Sequence, residues 1–287
     1  MTGQNLTPTK AANRLTRILQ NFNSAHHLDR FPINVKELAL ECGNLFGLNS
    51  QITEIKTADI KGFEGCLFSN ENKKQWQLLY NHTLSAGRIR FTLAHELGHF
   101  LLHRDKKNSF QCRDMDMLNW SDEEKNIESQ ADLFASYLLM PLDDYRKQVT
   151  TTIDLDLFSH CADRYGVSLT AAILKWLDYT DQKAVLVMSN DGFMKWAWSS
   201  KSAFKAGAYF KTRNNVIPLP DNSLAANSAI KTDRKGIAVR ANIWFKNAEP
   251  IADIKEMKIY TKQYDMVLTL LILQKIADVW PRREYDY

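Results

Sequence analysis

The chain has 287 residues, of which 45% are hydrophobic and 11% aromatic, and a formal net charge of +4. That length and apolar content suffice for a buried core, favour two domains over one and exclude disorder as the default state. The opening residues MTGQNLTPTK lack a charged segment followed by an apolar stretch, and apolar runs such as MVLTLLIL at 266–273 are too short to span a bilayer, so a cytoplasmic protein without membrane attachment is expected.

In chain order, TPTKAANRLTRILQNF reads as a first helix, with Ala12, Leu15, Ile18 and Leu19 at helical spacing, and INVKELALECGNLFG after Pro32 as a second. Between about 51 and 82 the texture changes. ITEIKTADI, GFEGCLF and QWQLLYN carry β-branched and aromatic residues between polar or glycine breaks, which predicts a small sheet with QWQLLYN as an edge strand open to an extended peptide. A helix is expected over 91–103, then a loop over RDKKNSFQCRDMDMLNW. The next helix spans about 121–140: Ser121 and Glu124 form an S-x-x-E capping box, and Pro141 stops it. A helix pair follows over about 154–180, joined at Gly166. It superficially resembles a helix-turn-helix, but with only Arg164 and Lys175 as basic residues on its expected outer face, packing is the better reading.

After 181 the segments AVLVMSNDGFMKWAWSS, IAVRANIWFKN and KEMKIYT read as strands, with a turn at Asn190-Asp191-Gly192. Charge divides at the same place: residues 1–182 hold 20 basic and 23 acidic side chains, and residues 183–287 hold 17 and 10. The basic half could face nucleic acid or an acidic partner, but its lysines are scattered and no motif supports a nucleic-acid partner. Cys42, Cys66, Cys112 and Cys161 are widely spaced, which suggests neither a disulfide framework nor a cysteine zinc site.

The chemistry concentrates in FTLAHELGHFLLH at 91–103. On a helix, Leu93, Ala94, Leu97, Gly98, Phe100, Leu101 and Leu102 cover an apolar side, while Thr92, His95, Glu96, His99 and His103 share the remaining wedge. Titratable groups on a mostly buried element are costly, so two readings compete: a core helix with a polar edge, and a zinc site. His95 and His99, four residues apart, point the same way and can reach one ion. Glu96 sits beside them, placed to act as a general base.

A catalytic zinc site needs a third protein ligand. The extended HExxHxxGxxH pattern fails, because Leu102 and Asp105 stand where glycine and histidine are required. The alternative is a carboxylate on a later helix, and NIESQADLFASYLLMP offers Glu128 at the edge of the apolar face formed by Ile127, Ala131, Phe134, Ala135 and Leu138. The small Ala131 and Ala135 permit close helix approach. Asp132, one turn on from Glu128, could accept the N–H of a ligating histidine, and His103 is assigned a supporting role near the wedge and not ligation.

Together, RFTLAHELGHFLLH and ESQADLFASYLLMP resemble the ImmA/IrrE family of metallopeptidases, whose pattern couples R-x-x-F-T-x-A-H-E-x-G-H-x-x-x-H to E-x-x-A-x-x-F-A-x-x-L-L-M-P. The likeness extends over about residues 35–178. It implies His95, His99 and Glu128 as Zn2+ ligands, Glu96 as catalytic base, and a zincin-like intracellular endopeptidase that cleaves a helix-turn-helix repressor to relieve repression. The expected fold is α+β: a helical metallopeptidase domain with a small β-sheet over 1–181, then a smaller, mostly β, basic domain over 182–287. A competing reading is a non-catalytic regulatory protein that binds a repressor or nucleic acid through the basic half and holds zinc only structurally.

Overall fold

Thr7 starts the first helix by accepting the Lys10 N–H, with a proline in the first turn, where its missing donor costs nothing. This helix, α1 (Pro8–Ala25), buries Ala11, Ala12 and Leu15. Asn34 caps α2 (Val35–Phe46), which ends at a left-handed Gly47. The computed structural model describes residues 6–59, 62–113, 121–262, 264–274 and 279, with 111–113 described by backbone alone. They fall into two units, one of Met1–Gln148 with Cys161–Ser168 and the other of Val149–His160 with Leu169–Tyr287.

In the first unit the region read as a small sheet forms β1 (Gln51–Ala58), β2 (Phe63–Ser69) and β3 (Gln75–Asn81). Two expectations are corrected here. The stretch after the 91–103 helix supplies a fourth strand, β4 (Ser109–Arg113), in place of part of the expected loop, while 114–120 lie outside the described residues. The strand order is β1-β3-β2-β4, so QWQLLYN is an inner strand, parallel to β1 and antiparallel to β2; the edges are β1 and β4. Trp76, fully buried and edge-on to Phe100, explains the inner position: this side chain needs cover on all sides.

The helix expected over 91–103 begins earlier, as α3 (Ala86–His103) capped by Ser85. The helix α4 (Asp122–Leu139) has both arms of the capping box, with Glu124 N–H donating to Ser121 Oγ at 3.2 Å and Ser121 N–H to Glu124 Oε2 at 3.1 Å. Pro141 stops α4, and a short helix not anticipated, α5 (Leu142–Gln148), follows at once. The helix pair is α6 (Leu155–Tyr165) and α7 (Leu169–Tyr179). Neither of its basic residues is free for DNA. Arg164 is engaged by Asp144, and Lys175 is buried in the second unit, where desolvation pulls its pKa down to about 7 against the opposing charge of Asp178.

The second unit contains an antiparallel sheet ordered β7-β6-β5-β10-β9-β8. Its strands and short helices are β5 (Ala184–Asn190), β6 (Phe193–Ser199), α8 (Lys201–Lys205), β7 (Ile217–Pro218), β8 (Thr232–Arg240), α9 (Ala241–Trp244), β9 (Asp253–Thr261) and β10 (Met266–Leu273). Asp191 and Gly192, both at positive φ, make the two-residue β5–β6 turn. IAVRANIWFKN is a strand only as far as Arg240 and then turns into α9. MVLTLLIL is an inner strand of the sheet, β10, its apolar run explained by burial of Leu268, Leu270 and Leu271. No helix among the described residues is long and apolar enough to cross a membrane.

Asp144 ties α5 to the end of α6. It accepts from Arg164 Nε and Nη2 at 2.7 and 2.9 Å and from Tyr165 Oη at 2.7 Å. Burial alone would raise its pKa, but these donors outweigh burial and hold the carboxyl below its ordinary 3.8. A depressed pKa gives stability that is present above the unfolded value and is lost as pH falls through the folded one. Asp144→Asn should therefore cost about 2 kcal/mol in urea unfolding at neutral pH. The gap from the parent should shrink once the buffer is taken below about 4; a gap independent of pH would contradict the assignment.

Candidate metal centre

The N-terminal part of α3 sits against β2 closely enough that a Cβ on Gly65 would lie 2.4 Å from Thr92 Cγ2 and 3.1 Å from Glu96 Oε1. On its other side, a Cβ on Gly98 would meet Phe134 Cδ1 at 3.0 Å and Ala131 Cα at 3.2 Å. Two glycines and an alanine thus let α3 lie between the sheet and α4 with little side-chain spacing. Thr92, His95, Glu96, His99 and His103 are all buried, so the polar wedge of the helix faces protein and not solvent.

This packing brings three of the expected residues to one point. His95 Nε2 lies 2.9 Å from His99 Nε2 and 3.1 Å from Glu128 Oε2, and His99 Nε2 lies 3.4 Å from the same oxygen. Among the described residues these three form the one group of histidine, cysteine and carboxylate ligand atoms near enough to share a metal ion. A tetrahedral ion with bonds of about 2.0–2.1 Å spaces its ligand atoms about 3.3–3.4 Å apart; one of the three separations matches and the other two need to open by a few tenths of an ångström, so two imidazoles and a carboxylate placed here could hold a metal ion.

The hydrogen-bond network aims both Nε2 atoms. His95 Nδ1 donates to Asp132 Oδ1 at 2.9 Å, which turns Nε2 toward Glu128 Oε2 at 3.1 Å, where a metal ion would replace the Nε2 proton. A second chain runs through residues that carried no motif. Gln130 Nε2 donates to Asn126 Oδ1 at 3.2 Å, leaving Gln130 Oε1 to accept from His103 Nε2 at 3.2 Å. His103 Nδ1 is then the bare nitrogen and accepts from His99 Nδ1 at 3.1 Å, so His99 Nε2 faces its partners with a lone pair. Gln130 and Asn126 could have been found only from their spacing of four on the helix that carries Glu128. Phe110 of β4 stacks on the His99 ring at 4.5 Å and fixes its plane.

The electrostatics call for positive charge at the meeting point. Burial disfavours the His95 cation, yet hydrogen bonds to Asp132 and Glu128 and the charge of Glu96 carry its pKa up to about 10. His99 is pushed down to about 4, because burial and the charge of His95 outweigh its hydrogen bond to Glu128. Burial would raise Glu128, but the two histidines hold it at about 2, an ionised ligand.

Glu96 stands apart from the cluster. It is fully buried, neither carboxyl oxygen meets a hydrogen-bond donor among the described residues, and burial raises its pKa to about 8, with the charge of His95 pulling the other way. Such a carboxyl is expensive in a merely structural helix.

Residues 49–177 match the family model Peptidase_M78, described as the IrrE N-terminal-like domain. Over that stretch the match agrees with the resemblance to the ImmA/IrrE family. Among solved structures, one titled "Mycobacterium tuberculosis transcriptional regulator" has the same fold at a TM-score of 0.53 and 12% identity, covering 93% of this chain and 82% of that one. No curated protein matches the sequence. The IrrE-like domain takes in both α3 and α4, and so every residue of the cluster.

Two outcomes check this geometry. His103→Ala should weaken zinc binding about 10- to 100-fold in competition with a chromophoric chelator, because His99 loses the acceptor that orients it. Gly98→Val should separate α3 from α4 and lower both zinc affinity and thermal stability; unchanged affinity would show that the helix contact does not position Glu128.

Proposed function

We propose that the protein is a zinc-dependent endopeptidase in which His95, His99 and Glu128 hold the ion, Glu96 is the general base, and the substrate is a helix-turn-helix repressor. In this reading residues 1–181 are the catalytic domain and 182–287 a basic, mostly β domain, and the protein works in the cytoplasm. The observation that carries the proposal is Glu96: a buried carboxyl with a raised pKa, beside three converging ligand atoms and bonded to none of them. A structural zinc site has no use for it. The metallopeptidase family match supports the same reaction class.

Zinc held by these three residues would supply Lewis acidity toward a water molecule and a peptide carbonyl. Glu96 takes the proton of the attacking water and delivers it to the leaving amine; a pKa near neutrality suits both transfers. Asp132 and the His103–Gln130 chain keep the ligand rings turned toward the ion during this exchange. The edge of β4, which carries Phe110 against His99, gives an extended peptide a strand to pair with next to the site.

A second reading, capture of a repressor or nucleic acid by the basic domain with zinc only structural, draws on a cleft of about 400 Å³ lined by Trp198, Phe204, Tyr209, Lys201 and Lys205. One substitution separates the two. Glu96→Gln should retain about one zinc per chain by elemental analysis and lower repressor cleavage about 10²- to 10⁴-fold. His99→Ala or a chelator should remove the metal and the activity together. Undiminished cleavage by Glu96→Gln would sink the peptidase reading.

A further inference from the structure

Well away from the metal ligands in sequence, α1, α2 and their connection line an apolar groove of about 470 Å³. Its walls are Ile18, Leu19, Leu38 and Leu45, and its lip carries Phe22 and Leu28, 54% and 57% exposed. Two large apolar side chains left this open at the mouth of a groove mark a surface that gains by being covered.

The rim is mainly acidic. Asp29, Glu37 and Glu41 line it, and the nearest donors to the two glutamates are neutral: Asn34 Nδ2 at 3.0 Å to Glu37, and Asn44 Nδ2 at 3.3 Å to Glu41. The one basic residue in the lining, Arg30, is engaged by both carboxylate oxygens of Asp143 at 2.7 and 3.1 Å. Among the described residues none of these three carboxylates is in an ion pair, so they present negative charge around an apolar floor. An acidic or neutral occupant would bury its apolar face here at the cost of like-charge or unpaired contacts.

We propose that this groove docks a basic amphipathic helix, with apolar side chains at i, i+3/i+4 and i+7 in the groove and lysines or arginines against Asp29, Glu37 and Glu41. The identity of the partner rests on the peptidase reading above. A DNA-binding repressor must carry a basic helix to meet phosphates, and an acidic groove would hold it by that same helix. The groove then selects the substrate away from the scissile bond, and DNA competes with it for the repressor.

The probe is a fluorescent model helix with leucines on one face and lysines on the other, titrated into full-length zinc-loaded protein carrying Glu96→Gln. A counterpart with glutamates replacing the lysines serves as control. The lysine helix should bind saturably, with affinity falling as salt rises, and the glutamate helix should not. Leu28→Asp, and separately Glu37→Lys with Glu41→Lys, should each weaken binding at least about tenfold with zinc content unchanged. Equal affinity for parent and variants, or equal binding of the two helices, overturns the proposal. So does a dimer in sedimentation that Leu28→Asp dissolves, since a second copy would then cover the groove. Because the titration reads binding without catalysis, repressor cleavage insensitive to the groove variants in a background that keeps Glu96 would sink this inference alone, and helix binding with no repressor cleavage by the parent protein would sink the peptidase reading alone.

Discussion

The close approach of α3 to α4 is the constraint on which the site depends. Gly98 lies one residue from His99 and faces Ala131, one turn along the helix from Glu128, so backbone contact between the two helices sets the distance between the ligands. A carboxylate has a short reach; with larger residues at either place, Glu128 Oε2 would not come within 3.1 Å of His95 Nε2. The same economy of side chains recurs on the opposite side of α3, where Gly65 leaves room for Thr92 and Glu96. Helix packing and ligand placement are one geometric problem here.

Buried charge is the cost of that arrangement, and the surrounding residues offset it. Asp132 orients His95, the Asn126–Gln130–His103 chain orients His99, and the two imidazoles keep Glu128 ionised. Among the described carboxylates of the site, Glu96 is the one without a hydrogen-bond donor, and that exception is where chemistry is best sought: polar groups left unsatisfied in a folded core persist where function requires them. The acidic groove between α1 and α2 shows a different use of charge, on the surface and mainly of one sign, suited to choosing a partner and not to reacting with it.

Much of the site was legible because helical periodicity carries it. The spacing of His95 and His99, the capping box at Ser121 and Glu124, and the place of Glu128 at the border of an apolar stripe are local patterns, and the structure holds these features where such patterns put them. Errors arose where a local pattern had no unique tertiary outcome. QWQLLYN alternates like an edge strand but lies between two neighbours, and part of a polar stretch pairs with β2 as β4. Lys175 reads as solvent-facing because a lysine usually is, yet it is buried. The role of Gln130 is invisible in sequence, since an amide acquires meaning only through the ring beside it.

The sequence by itself determined the chemical inventory: which groups can ligate or move a proton, and on which helices they sit. It also marked where the chain passes from a helical to a β texture. Only the tertiary structure decided which strand is an edge, which cations are buried, which nitrogen of each histidine faces Glu128, and that α1 and α2 leave an acidic groove open. The physical reason is range. Propensity, periodicity and capping act over a few residues, whereas strand order, desolvation and ring orientation are set by groups distant in the chain that meet only when the core closes.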